Sequence, residues 1–323
     1  MTFDELTPDS MLPAIEDHSG FLLTGYTAPF SSYINRVYEL RTKDGIRIVV
    51  KFYRPERWSR EAILDEHKFM FDCQENEIPV VTPMLLKNQS TIGTFNGIYF
   101  SLFPKKAGRQ LEINDFEDWV RLGSLIARIH CVGAKANADY RVVIDPRITT
   151  ISDCKYLCDA VIPGKYREQY RSLCMKLIDL ASPAFENAEK IRIHGDLHTG
   201  NILNRMDEGL LVIDFDDMAM GPPVQDLWLL LPERADKAVA EIELFLEGYE
   251  QFRSFNRNSL KCIEYLRAMR MIYFLSWCSR QMSDFQFKKN FPEWGSDIFW
   301  QREIVDLSDQ LSFCSQSKSG NFN

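Results

Sequence analysis

The stretch Ile191–Asn204, "IRIHGDLHTGNILN", sets two histidines, an aspartate and an asparagine in one short window between two apolar runs. Three chemistries suit it. In an extended strand, residues i, i+2 and i+4 share a face, so His194, Asp196 and His198 could together ligate a metal such as zinc. A turn between strands would use the same Asp and Asn to satisfy loop amides. The third is phosphoryl transfer, because His-x-Asp-x-x-x-x-Asn is the spacing of a kinase catalytic loop.

The third reading makes demands elsewhere in the chain. It requires a second acid after the next strand pair, and "LLVIDFDD" supplies Asp214. It requires a lysine on the third strand of a β-rich segment, and "RIVVKFYR" supplies Lys51. It requires a glutamate in the following helix, and "LDEH" supplies Glu66. The residue types suit the chemistry. Asp214 and Asn201 offer hard oxygen ligands for magnesium, and Lys51 offers a positive charge to phosphates. Glu66 would hold that charge in place. Asp196 sits where an acceptor hydroxyl would give up its proton. His194 is expected to brace the loop. His198 is left open between a structural and a substrate-facing role.

Outward from this window, the chain reads as a strand-rich first part and a helical remainder. "FLLTGY", "RVYELRT" and "IRIVVKFYR" read as strands, with "KDG" as a turn. Ser59 is an N-cap for "SREAILDEHKFMFDCQENE". "VVTPMLLKN" and "TFNGIYFSLFP" read as strands, with Asn96-Gly97 as a hairpin turn. The expected order is β-β-β-α-β-β after a short helix. From about residue 104 helical periodicity dominates, interrupted by "IRI" and "LLVIDF". The expected division is a β-rich lobe at 1–103, a helical lobe at 104–314 and a frayed polar tail at 315–323.

The chain has 323 residues, 45% hydrophobic and 26% charged, with a net charge of -8. The acidic balance argues against a nucleic-acid partner. No apolar run approaches the roughly 20 residues of a membrane span. The acidic start lacks the pattern of a signal peptide, so a cytoplasmic protein is expected. Eight cysteines are scattered, without the density of a disulfide framework. Cys154 and Cys158 share a helix face, and no second ligand pair accompanies them.

"HGDLHTGN" followed by "VIDFDD" resembles the aminoglycoside phosphotransferase and choline kinase branch of the protein-kinase-like fold, over about residues 30 to 280. "SSYINRVYEL", "VVKFYRPERW", "GPPVQDLW" and "LRAMR" are similar to a group of bacterial stress response kinases within it, which act on protein serine or threonine. The resemblance implies an α+β, bilobal fold: a small antiparallel β lobe with one main helix, and a larger helical lobe. It implies ATP and Mg2+ as cofactors and a monomeric cytoplasmic enzyme. Carried over by residue, Asp196 is the catalytic base, Asn201 and Asp214 hold magnesium, and Lys51 with Glu66 forms the phosphate-lysine pair. Ser32 lies on the loop covering ATP, and Asp226 braces the catalytic loop.

Departures from the kinase pattern are equally specific. "PFSSYINRVY" stands where a glycine-rich loop would be. Asp-Phe-Gly becomes Asp214-Phe215-Asp216, and eight positions separate Asp214 from Pro222. A long phosphorylated activation loop has no room there, so that form of gating is not expected. Asp216 and Asp217 would make the acceptor side acidic, suiting a basic acceptor, unless one serves as a cap or a neighbouring support. The arginines of "FYRPERWSR" read as mostly solvated, with a docking or regulatory role as the alternative. Besides a protein acceptor, the chain itself included, the residues permit a small-molecule alcohol. A catalytically silent binding module is the remaining reading, and retention of all five key residues argues against it.

Overall fold

The computed structural model describes residues 3–30, 34–282 and 287–317. Ser32, assigned above to the covering loop, lies outside them, as do residues 318–323 of the polar tail. The chain divides into two compact units. The first comprises residues 1–114, 131–141 and 196–218, and the second 115–130, 142–195 and 219–323.

The first unit is built on a five-stranded antiparallel sheet. Helix α1 (Pro8–Ser19) precedes β1 (Leu23–Pro29), β2 (Arg36–Thr42) and β3 (Arg47–Phe52). Helix α2 (Arg60–Glu75) follows, then β4 (Gly93–Phe95) and β5 (Ile98–Pro104). The sheet order is β1-β2-β3-β5-β4. Alternation along β3 sends Ile48, Val50 and Phe52 into a core shared with Met11 and Ile15 of α1 and with Phe100 and Leu102 of β5. Lys51 therefore projects from the opposite face, and so does Ser101, its cross-strand partner.

Asn96 and Gly97 both adopt positive φ, 46° and 77°, in the two-residue turn joining β4 to β5. Ser59 caps α2 as expected, its side chain accepting from the Ala62 N–H. The expected strand at "VVTPMLLKN" does not form. Only Val80 makes a bridge, to Val212. Pro79 and Pro83 each remove a donor that a ladder would need, so "TFNGIYFSLFP" alone supplies both β4 and β5.

The unit also holds a three-stranded antiparallel sheet of β6 (Arg109–Gln110), β8 (Ile202–Arg205) and β9 (Gly209–Val212). The segment carrying Asp196, Asn201 and Asp214 thus belongs to the same compact unit as Lys51 and Glu66.

The second unit is largely helical: most of α3 (Phe116–Gly133), then α4 (Ile151–Tyr156), α5 (Gly164–Glu186), α6 (Gln225–Trp228), α7 (Val239–Tyr249), α8 (Ile263–Ser279), α9 (Phe287–Asn290) and α10 (Asp297–Ser317). A two-stranded antiparallel pair joins β7 (Ile191–Ile193) to β10 (Ala219–Gly221). The helical reading of "DCKYLCDAVI" is refined, because α4 is flanked by wider, π-helical turns at Pro146–Thr150 and Leu157–Val161. All eight cysteines are free. No helix among the described residues is long and apolar enough to cross a membrane.

Two glycines allow α3 and α7 to cross closely. A Cβ at Gly123 would lie 1.9 Å from the Phe245 carbonyl, and one at Gly248 would lie 1.9 Å from the Val120 carbonyl. The Ser124 hydroxyl donates to the Gly248 carbonyl at 3.1 Å across the crossing. The crossing sets His130 of α3 against Tyr249 of α7.

Candidate active site

Helix α2 buries Ala62, Ile63, Glu66, Phe69, Met70 and Cys73 along one stripe. Glu66 therefore points inward and reaches Lys51, with Nζ 3.6 Å from Oε1. The same ammonium lies 3.1 Å from Asp214 Oδ1 and 3.0 Å from Asp216 Oδ1. Burial alone would lower the Lys51 pKa, but Asp214, Asp216 and Glu66 together hold it well above its usual value. Burial pushes the Glu66 carboxyl up to about 7, opposed by Lys51 and reinforced by Asp216.

The β8–β9 register brings Asn201 and Asp214 together. Ile202 pairs with Val212, and one step further the Ile213 N–H donates to the Asn201 carbonyl at 3.0 Å. Asp214 follows at once, in the left-handed region at φ 60°. This conformation is tolerated by Asp better than by most residues. The Asp214 side chain is 51% exposed, unlike its buried neighbours. The Asn201 amide nitrogen donates to the Asp196 carbonyl at 2.9 Å, which leaves the amide oxygen out of this bond. Asp196, Asn201 and Asp214 are thus linked through backbone and amide bonds of one hairpin. Lys51 and Glu66 join them through Asp214.

The acids beside Asp214 are not an open acidic face. Asp216 is buried and bonded to Arg57. Arg57 also donates to Asp217 at 2.6 Å. Arg57 and Lys51 outweigh the burial of Asp216 and hold its carboxyl well below the usual carboxylate range. Asp217 moves the other way, because burial and the charges of Asp216, Asp196 and Asp214 outweigh Arg57. The expectation that the arginines of "FYRPERWSR" are mostly solvated is corrected at two positions. Arg57 clamps Asp216 and Asp217, and Arg54 donates to the Ile34 carbonyl at 2.9 Å. Arg60 alone of the three is exposed.

Arg141 escaped the sequence reading because it sits in a loop with no motif around it. Its buried guanidinium donates to the Met218 carbonyl at 2.7 Å and to the Asp216 carbonyl. It also lies 3.8 Å from Glu66 and stacks over Trp58 at 3.9 Å. One side chain thereby ties α2 to the segment after Asp214. Nearby, His67 is buried between the Tyr53 hydroxyl at 3.0 Å and the Thr91 hydroxyl at 2.6 Å.

In the second unit, Asp226 of α6 accepts from the His194 N–H and the Gly195 N–H, both at 2.8 Å. Gly195 has φ 85°, which lets consecutive N–H groups converge on one carboxylate. His130 bonds Asp226 at 3.0 Å and the Tyr249 hydroxyl at 2.9 Å. Gln225 donates to the Gly195 carbonyl at 2.9 Å. Burial would raise the Asp226 pKa, but His130 and the loop donors lower it. The residues leading directly into Asp196 are therefore held by a buried carboxylate, as expected of Asp226. His194 is fully buried, with its N–H spent on this bond. Among the described residues, no group of three or more His, Cys, Asp or Glu side chains is set to hold a metal ion. The histidine-metal reading of the opening window finds no support.

Residues 27–262 match the model of the phosphotransferase enzyme family. The chain belongs to the phosphotransferase enzyme family. This phosphotransferase is 36% identical to stress response kinase A of Escherichia coli strain K12 over 311 residues, covering 96% of this chain and 94% of that protein. It is 34% identical to the serine/threonine protein kinase RdoA of Salmonella typhimurium over the same shares. Among solved structures, an amicoumacin kinase in complex with AMP-PNP, Ca2+ and Ami aligns with TM-score 0.71 at 18% identity, covering 94% of this chain and 93% of that one. A microcompartment-associated aminopropanol kinase aligns with TM-score 0.68 at 14% identity, covering 96% and 98%. The phosphotransferase has the protein-kinase-like fold, with an antiparallel sheet in its N-terminal lobe and a helical C-terminal lobe.

Proposed function

We propose that this phosphotransferase is an ATP- and magnesium-dependent kinase that transfers the γ-phosphoryl group to a serine or threonine hydroxyl of a protein, in a bacterial stress response. The observation that carries the reading is Lys51 paired with Glu66 and Asp214, while Asn201 and Asp214 flank one hairpin end. The donor set suits magnesium, because a carboxylate and a carboxamide oxygen are hard ligands. Asn201 and Asp214 would hold that ion, which supplies charge neutralisation at the phosphates when bound. Lys51 contributes a fixed positive charge, and Glu66 keeps it in place. Asp196 orients the acceptor hydroxyl and takes its proton as the new O–P bond forms, while the bond from the γ-phosphorus to the bridging oxygen breaks and ADP leaves with that electron pair. Residues 1–103 serve as the nucleotide-binding lobe and 104–314 as the catalytic lobe of a cytoplasmic monomer.

The relatives named as stress response and serine/threonine protein kinases favour a protein acceptor. A small-molecule alcohol is the second reading, favoured by the eight-position span from Asp214 to Pro222, too short for the peptide-docking loop of ordinary protein kinases. Incubation with γ-labelled ATP, magnesium and either a basic protein or a panel of amino alcohols, amino acids and sugars separates them. Label in protein, the chain itself included, supports the first. Label only in a small molecule overturns it.

A further inference from the structure

We infer that His198 is a positioning residue for Asp196, an inference that rests on the reading of Asp196 as the base. The His198 Nδ1 accepts from the Gly200 N–H at 3.0 Å. A ring nitrogen that accepts carries no proton, so the neutral imidazole has its N–H on Nε2. That nitrogen lies 3.6 Å from Asp196 Oδ2, beyond a full hydrogen bond but within charge–dipole range. The donor side of the ring thus faces the carboxylate of the proposed base.

The loop is shaped to hold the ring there. A Cβ at Gly200 would meet the imidazole at 2.8 and 2.9 Å, so a side chain there would push the ring from this position. The His198 N–H donates to the Asp196 carbonyl at 3.1 Å, and the His198 carbonyl accepts from Asn201 N–H at 2.9 Å. The Asn201 amide then returns to the Asp196 carbonyl. The imidazole adds to this ring of bonds on its side-chain side, bonded to the Gly200 N–H and in polar contact with the Asp196 carboxylate. It links the orientation of the Asp196 carboxylate to the short turn, Thr199–Asn201, that presents Asn201. Every one of these residues lies in the first compact unit.

The two ring nitrogens can be mimicked separately. Asn places an acceptor near the Nδ1 position and caps the turn as well as any residue. Gln places an N–H donor near the Nε2 position. Hydrolysis of MgATP, with water standing in for the acceptor hydroxyl, reads kcat and KM. Thermal melting of the nucleotide-free protein reads the turn. His198→Ala lowers kcat by up to ~100-fold, the scale of an ångström-sized misplacement, with KM for MgATP little changed. His198→Gln recovers most of that loss, whereas His198→Asn melts like wild type yet stays slow. The reverse order, Asn active and Gln slow and low-melting, assigns His198 to capping alone and overturns the inference. In an Asp196→Asn background, His198→Ala should cost little more, because the two act as a unit. A full further loss overturns the inference. Wild-type turnover in Asp196→Asn alone overturns the base assignment, and the inference with it, and is seen in that variant separately. In the wild-type protein, 15N-edited NMR of the imidazole should report the Nε2–H tautomer, and the Nδ1–H tautomer contradicts it whatever the variants do.

Discussion

Lys51 lies as close to Asp216, at 3.0 Å, as to Asp214, at 3.1 Å. Ordinary kinases have glycine at the position of Asp216, with no side chain to offer. Here a buried carboxylate, itself held by Arg57, gives the lysine a second anchor besides Glu66. With Asp214 committed to the proposed magnesium, Asp216 and Glu66 would keep Lys51 in place. Asp216→Asn leaves Arg57 its bond to Asp217 but takes a carboxylate from both Arg57 and Lys51, and is expected to cost about 1–3 kcal/mol. Arg57→Met combined with Asp216→Asn should cost less than the sum of the two singles, by about 0.5–3 kcal/mol. Chemical denaturation of the four proteins measures this. Strict additivity would show that the pair is not coupled.

Asp226 makes the second testable bond set. Asp226→Ala removes the acceptor for both the His194 and Gly195 N–H groups and the partner of His130. Each buried donor left without its partner costs about 1–3 kcal/mol. The expected result is a large drop in melting temperature together with a fall in kcat, since these donors lead into Asp196. A fall in kcat with an unchanged melting temperature would contradict the bracing role.

The α3–α7 crossing predicts an effect at a residue far from any chemistry. Gly123→Ala places a methyl 1.9 Å from the Phe245 carbonyl, so the helices must separate. Overpacking of this kind costs about 1–3 kcal/mol or more. The His130–Tyr249 contact across the crossing should loosen with it. A melting curve coincident with wild type would show that the crossing yields without cost.

His67 gives the structure a signed pH dependence. Burial first, then the charges of Lys51 and Arg141, lower its pKa from 6.5 to about 3. Between those values the unfolded chain binds the extra proton, so stability rises with pH. The contribution is fully present above 6.5 and is lost as pH falls toward about 3. The stability difference between wild type and His67→Gln should therefore grow from pH 3 to 6.5 and then level off. A pH-independent difference would contradict the neutral, doubly bonded His67.

Much of this site was legible in the residues. The spacing from Asp196 to Asn201, the acid at Asp214, the lysine on β3 and the inward-facing Glu66 follow from motif and periodicity, and the structure brings them into one unit. The supports were less legible. Arg141 lies in an irregular loop, and a lone arginine in a loop carries no periodic signal. Arg57 and Asp216 are far apart in sequence, and their pairing depends on where the loop after β3 passes. Asp216 and Asp217 read as an acidic surface because composition does not reveal burial. "VVTPMLLKN" has the residue types of a strand, but Pro83 within it and Pro79 just before it each remove a donor that a ladder would need. His198 became interpretable only when the Gly200 N–H fixed which ring nitrogen bears the proton.

The most direct test of the central claim is single-turnover transfer from γ-labelled ATP and magnesium by wild type and Asp196→Ala, with nucleotide binding measured in parallel. Wild type should transfer label to the acceptor class identified above. Asp196→Ala should bind MgATP but lose transfer by several orders of magnitude. Transfer by Asp196→Ala at the wild-type rate would remove Asp196 from the reaction, and failure of the wild-type protein to bind MgATP would contradict the account as a whole.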